Sequence, residues 1–244
     1  MNNELHNTEV NEINKTDTEN YKNIKPQREM STKEVSDFWN NEFRNAQNQT
    51  DGVEDNTRTD IYENRSNEGQ ETTDRGKELT QEQKDDLLSK GMSPSLVNEC
   101  KVDKDVYVIK TQNENLVDSK HPDTGVPYNK KIIDLSGVKV EGVFAEFDSI
   151  FSTKLPENKY LASDKVQFDY CNQQLKNAIK ENPSLKEKFS ERQLEQISVG
   201  QKPSGFTWNH NEELGKMELV DTNKHSTTPH TGGKAVWGGG SAYR

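Results

Sequence analysis

Apolar side chains are unevenly spread along this 244-residue chain, and their spacing divides it into stretches of different kind. Over residues 1–77 Asn, Thr, Glu, Asp and Gln dominate. A segment so poor in apolar groups cannot offset its ordering entropy by burial, and it reads as a disordered acidic linker or tail. One island interrupts it: Val35, Phe38, Trp39 and Phe43 recur at helical spacing behind the capping-box pair Ser31 and Glu34. That pattern gives either a transient helix or one that folds on a partner. Order is expected to begin near Leu79, where Thr80 to Gln83 starts a helix that continues from Lys84 to Ser89 and stops at Gly91. A strand-rich stretch follows. Val106 to Ile109 is a short apolar run, and Ile132 to Val140 reads as two strands joined at Ser136-Gly137, with Phe144 and Phe147 extending the apolar signal. His121 to Pro127 is a turn-rich loop.

Helical spacing takes over after Pro156. Ser163 can cap a helix that places Phe168, Cys171, Leu175, Ala178 and Ile179 on one face. Pro183 ends it and opens a short helix through Phe189, and Ser190 with Gln193 forms a capping box for a helix from Glu191 to Ser198, closed by Gly200. Phe206 to His210 and Met217 to Val220 read as a hairpin around Glu212 to Gly215, and Asp221 caps a helix carrying His225 that Pro229 stops. The whole reads as an α+β chain in three parts: a disordered tail over 1–77, a strand-rich segment over 78–153, and helices followed by a C-terminal hairpin-and-helix unit over 154–244.

Composition agrees with a partly unfolded chain: 28% of residues are hydrophobic, 30% are charged, and mean hydropathy is −1.13. No run approaches the ~18 apolar residues of a membrane helix. The opening Met1 to His6 lacks the basic-then-apolar pattern of an ordinary signal peptide. Two cysteines, Cys100 and Cys171, are too few for a Cys-based metal site or a disulfide scaffold, so reduced thiols are expected. The formal net charge of −10 argues at first against a phosphate-binding protein. It is not evenly distributed. Residues 1–77 carry 17 acidic and 10 basic side chains, 78–153 carry 14 and 9, and 154–244 carry 11 and 13, so the C-terminal part alone is slightly positive.

That part also concentrates the chemistry. Of five histidines, three (His210, His225 and His230) fall within 21 residues. The hairpin-then-helix pattern would let the end of the first strand face the helix, so that His210 and His225 converge. Such an arrangement suits metal-assisted hydrolysis of a phosphodiester: a divalent ion offsets charge on the phosphate and the leaving oxygen, and a neutral imidazole takes a proton from water. Residue types alone leave the ion open. Trp208 reads either as a hairpin core residue or as a stacking platform for a base. Lys216, Lys224 and Lys234 read either as phosphate contacts or as solvated surface. Gly232-Gly233 and Gly238 to Gly240 read either as backbone that approaches a phosphate closely or as a flexible tail.

The elements Trp208-Asn209-His210, Gly215 to Val220, His225, His230-Thr231-Gly232-Gly233 and Val236 to Gly240 resemble the WHH branch of the HNH/endonuclease VII nuclease superfamily, as found at the C-terminus of bacterial polymorphic toxins. The resemblance implies a ββα-metal fold and an endonuclease with one divalent ion, Mg, Mn, Ni or Zn, acting on DNA ahead of RNA. It implies His210 as general base, His225 as a metal ligand, His230 as a second metal ligand or a phosphate contact, and Asn209 at a metal-ligand position. Trp208, Lys216, Lys224 and Lys234 are the substrate-side candidates beside them. Asn209 departs from the family, which usually has Asp or His there. An amide oxygen coordinates a hard ion but holds a softer one poorly. The resemblance also implies a cognate immunity protein as partner, and delivery by a specialised secretion system into a target cell's cytoplasm. The alternative, favoured by Asn209 and the acidic middle segment, is a catalytically degenerate nuclease fold that binds a protein partner.

Overall fold

The computed structural model describes residues 76–243. The tail expected over 1–77 falls almost wholly outside the described residues, as does the helix expected around Val35 to Phe43. The described part is α+β, with two sheets and several helices.

Strand β1 (Lys77–Glu78) leads into helix α1 (Gln81–Ser89). Thr80 starts that helix as the spacing predicts: its hydroxyl accepts from the Gln83 amide, and the Gln83 side chain accepts from the Thr80 amide. Helix α2 (Pro94–Glu99) was not expected. It is one and a half turns long and buries only Leu96 and Val97, too little for a periodic signal, although Ser93-Pro94 is a legitimate helix start. Strands β2 (Lys101–Asp103), β3 (Val106–Val108), β4 (Ser119–Lys120), β5 (Pro127–Leu135) and β6 (Val138–Ala145) complete a six-stranded sheet of order β1-β2-β3-β6-β5-β4. Only the β3/β6 pair is parallel. Ser136 and Gly137 join β5 to β6 with φ of 49° and 89°, the left-handed pair that a two-residue hairpin needs.

A second, three-stranded antiparallel sheet has the order β7-β9-β8. The sequence pattern supplies β8 (Phe206–His210) and β9 (Lys216–Asp221), but not β7 (Ser149–Lys154), an edge strand with a bulge between Ser149 and Phe151. Its residues are half-buried or exposed, so it shows no clean alternation. Helix α3 (Asp164–Glu181) packs on this sheet, followed by α4 (Pro183–Lys186) and α5 (Glu191–Ser198). The expected face of α3 is present, with Cys171 and Leu175 fully buried, but the helix also buries two amides, Gln167 and Asn172. Two short helices, α6 (Thr222–Thr227) and α7 (Gly233–Val236), close the chain around Trp237.

One apolar core joins the sheets: Leu87 of α1, Leu135 and Phe144 of the large sheet, Leu175 of α3, Trp208 and Leu219 of the hairpin, and Trp237 all belong to it. A second, smaller cluster (Val126, Tyr128, Val143 and Ala145) lies under the other face of β5 and β6. Cys100 and Cys171 are free and buried, and burial pushes both thiols up to about 12.

Candidate nuclease site

The site is built on the β8–β9 hairpin. His210 pairs with Met217 across the turn, and the carboxylate of Asp221 caps α6 by accepting from the Lys224 amide at 2.9 Å. Because successive residues of a strand face opposite sides, Asn209 and His210 reach different partners. The Asn209 amide nitrogen donates toward Glu218 Oε2 at 3.4 Å, and that carboxylate also accepts from Asn211 at 3.1 Å. A carboxylate only accepts here, so the Asn209 carbonyl oxygen is turned the other way. It lies 3.3 Å from His225 Nε2. The ring of His225 stands edge-on to that of His230, with centroids 4.9 Å apart, and Phe147 packs against both. His230 Nδ1 donates to the Thr228 carbonyl at 2.7 Å, which leaves the lone pair of the neutral ring on Nε2.

Burial, helped by neighbouring His230, pushes His225 down to about 4. Burial likewise pushes His230 down, against the opposing pull of the Thr228 carbonyl and of Glu212. Both rings are therefore neutral at pH 7. The sign for stability follows: the unfolded chain protonates His225 near pH 6.5 while the folded chain resists until about pH 4. The contribution of the folded environment is complete above pH 6.5 and is lost as pH falls toward 4. Thermal unfolding of the metal-free protein should show the midpoint climbing over this window. In His225→Asn that climb should be weaker by about 2 kcal/mol, with solvent screening allowed for. An unchanged pH profile in the variant would refute the assignment.

His210 is held from α3. Gln167 Nε2 donates to the carbonyls of Lys159 and Tyr160, both at 2.8 Å, so its oxygen must face the histidine. That oxygen lies 2.7 Å from His210 Nε2 and also accepts from Lys234 Nζ at 3.1 Å. His210 Nε2 consequently carries a proton. Lys234 is buried; it donates to the Ala162 carbonyl at 3.0 Å and pairs with Asp164 Oδ1 at 3.0 Å, an oxygen that lies 3.9 Å from His210 Nε2. Phe168 and Trp237 flank the imidazole.

These groups line one cleft of about 460 Å³, which takes in Asn209, His210, His225, His230, Asp164 and Lys234. A larger groove of about 840 Å³ runs between β5, β7 and the hairpin turn, but none of the histidines lines it. Of the substrate-side candidates, Trp208 reaches the cleft from a buried position, its indole N–H donating to Asn172 Oδ1 at 2.8 Å. Lys216 lies by the larger groove, paired with Glu213 and Glu218. Lys224 is exposed, 3.8 Å from Asp148. Sequence reasoning missed Gln167, Asp164 and Glu218. A polar residue on the buried face of an otherwise amphipathic helix was the available signal for Gln167.

Asn209, His225 and His230 offer an amide oxygen and two neutral imidazoles. This donor set fits a divalent ion of borderline softness and leaves coordination positions open. Among the described residues no three His, Cys, Asp or Glu side chains are grouped to hold a metal.

Neutral imidazoles gathered at an open cleft, one of them anchored through its second nitrogen, can take up a proton or hold a metal ion. Residues 136–232, less than half of the chain, match the family described as the DNase/tRNase domain of colicin-like bacteriocin. This supports a bacteriocin nuclease domain, a hydrolase with nucleic acid as its substrate and a toxin effector in role. No curated protein and no solved structure matches the chain. Among the described residues no helix is long and apolar enough to cross a membrane.

Proposed function

We propose that the chain is a metal-dependent endonuclease of the HNH type, in its WHH form, acting on DNA in preference to RNA as a bacterial toxin effector. The observation that carries this reading is the convergence of Asn209, His210, His225 and His230 on one cleft, built from a hairpin and the helix that follows it. Asn209, His225 and His230 would hold one divalent ion, which when bound supplies positive charge at the phosphate and leaving oxygen. His210 would accept the proton of the attacking water, while Gln167 fixes one edge of the ring. Asp164 and Lys234 lie beside it as an ion pair, with Asp164 Oδ1 3.9 Å from Nε2, so its carboxylate acts on the ring through space rather than by a hydrogen bond. The walls of the cleft hold the substrate near this edge, with Trp208 and Lys234 among them. Lys216 and Lys224 would meet phosphates further along the strand.

The test is cleavage of supercoiled plasmid and of structured RNA by the full chain, with Mg²⁺, Mn²⁺, Ni²⁺ and Zn²⁺ each in turn. Ion-dependent nicking of plasmid exceeding RNA cleavage is the expected result. Absence of cleavage with every ion would move the chain to the second reading, a degenerate nuclease fold that binds a protein partner. The amide at position 209 is the observation that favours this alternative. In the toxin reading the producing cell also makes an immunity protein that blocks the cleft, and the effector is delivered by a specialised secretion system into the cytoplasm of its target.

A further inference from the structure

We propose that strand β5 and the loops on either side of β4 aim His230, with Asn113 and Tyr128 as positioning residues; the proposal rests on the reading of His230 as a metal-holding side chain. The loop from Thr228 to Thr231 follows the six-residue helix α6, and its anchors come from far upstream in the chain. The Pro229 carbonyl accepts two hydrogen bonds, from Asn113 Nδ2 at 2.7 Å and from the Tyr128 hydroxyl. The same hydroxyl accepts from Asn113 Nδ2 at 3.1 Å, which closes a three-membered network. Thr228 Oγ1 donates to the Lys224 carbonyl, so its 2.7 Å contact with Thr124 Oγ1 is one in which Thr124 donates. Thr231 Oγ1 accepts from the Gln112 amide at 2.8 Å. His230 is thereby bracketed on both sides, at 228 and 229 before it and at 231 after it.

The bracket is itself rigid. Tyr128 lies fully buried in the smaller apolar cluster, and Thr111, next to Gln112, accepts from the Val143 amide of β6 at 3.2 Å. Asn113 has a φ of 63°, a left-handed position that Asn tolerates and that places its amide under the loop. All four anchoring residues, Gln112, Asn113, Thr124 and Tyr128, precede residue 136, where the match to the bacteriocin nuclease family begins. The matched stretch carries the histidines, and the segment outside it holds the last of them still. A ligand whose orienting hydrogen bonds are removed loses affinity by roughly 10–100-fold.

The experiment uses the full chain with Tyr128→Phe, which removes only the hydroxyl, Asn113→Gly, which keeps the left-handed backbone available, and Thr231→Val. Two readouts are taken besides plasmid cleavage: the ring ¹⁵N and ¹H resonances of His230 without metal, and calorimetric titration with Ni²⁺ or Zn²⁺ alone. Displaced or broadened His230 resonances and a Kd weakened about 10–100-fold in folded variants are expected. Wild-type resonances and wild-type Kd in the folded variants would overturn the proposal. If Tyr128→Phe fails to fold, Asn113→Gly and Thr231→Val, which alter solvent-facing bonds, decide it. If the wild-type chain binds no ion and cleaves nothing, the metal-nuclease reading fails. The resonances alone then decide the clamp, which stands if they move and falls if they do not.

Discussion

Cleavage by His210→Ala is expected to fall by about 10²–10⁴-fold, the range that a positioned general base contributes. The loss should appear in kcat, because in the proposed mechanism His210 takes a proton from the attacking water while Trp208 and the other walls of the cleft remain. The substitution also removes a buried ring between Phe168 and Trp237 and a hydrogen bond to Gln167, so some thermal destabilisation, of order 1–3 kcal/mol, accompanies it. That cost is too small to unfold a domain of this size at 25 °C. Circular dichroism on the same sample therefore separates lost chemistry from lost structure. A folded variant with wild-type kcat would remove His210 from the mechanism and leave the cleft's remaining groups to account for any activity.

The largest effect on stability is expected at Gly233. A Cβ placed there would stand 2.0 Å from the Asn211 carbonyl oxygen and 2.4 Å from Trp237 Nε1. These two groups are bonded to each other at 2.9 Å, and Trp237 is fully buried. Gly233→Ala must either push the indole out of the core or move the backbone next to His210. Overpacking against backbone costs about 3 kcal/mol or more, which lowers Tm by roughly 6–12 °C in a domain of this length. Gly232→Ala serves as the comparison: its Cβ would meet only the His210 carbonyl at 3.3 Å and the His230 ring at 3.5 Å, so a much smaller shift is expected. Equal Tm values for the two variants would show that the close approach at Gly233 is relieved elsewhere. The glycine pair that sequence reasoning offered to a phosphate thus has a packing duty at its second member.

The local elements were legible wherever a local rule governs them. The capping boxes at Thr80 and Ser190, the Ser136-Gly137 turn, the helix behind Ser163 and the hairpin ahead of Asp221 all form where residue spacing puts them. Elements with little apolar content were not legible. β7 owes its existence to pairing with β9, and α2 to two leucine and valine contacts behind a proline. A half-exposed edge strand and a helix of six residues carry too few buried positions to imprint a period.

For the candidate site, sequence alone determined which histidines belong together, because His210, His225 and His230 sit on elements specified by short-range capping and turn chemistry. It also marked Asn209 as a departure from the nuclease motif that these residues resemble. Tertiary structure alone decided the protonation pattern and the supports. Gln167 on α3 sets the tautomer of His210, Glu218 turns the amide of Asn209, and Asn113, in the turn before β4, and Tyr128 of β5 hold the loop of His230. The physical reason is range. Caps and turns are satisfied within four residues of sequence, whereas each of these longer bonds fixes which atom of a functional group faces the cleft and is formed only when separate elements pack together.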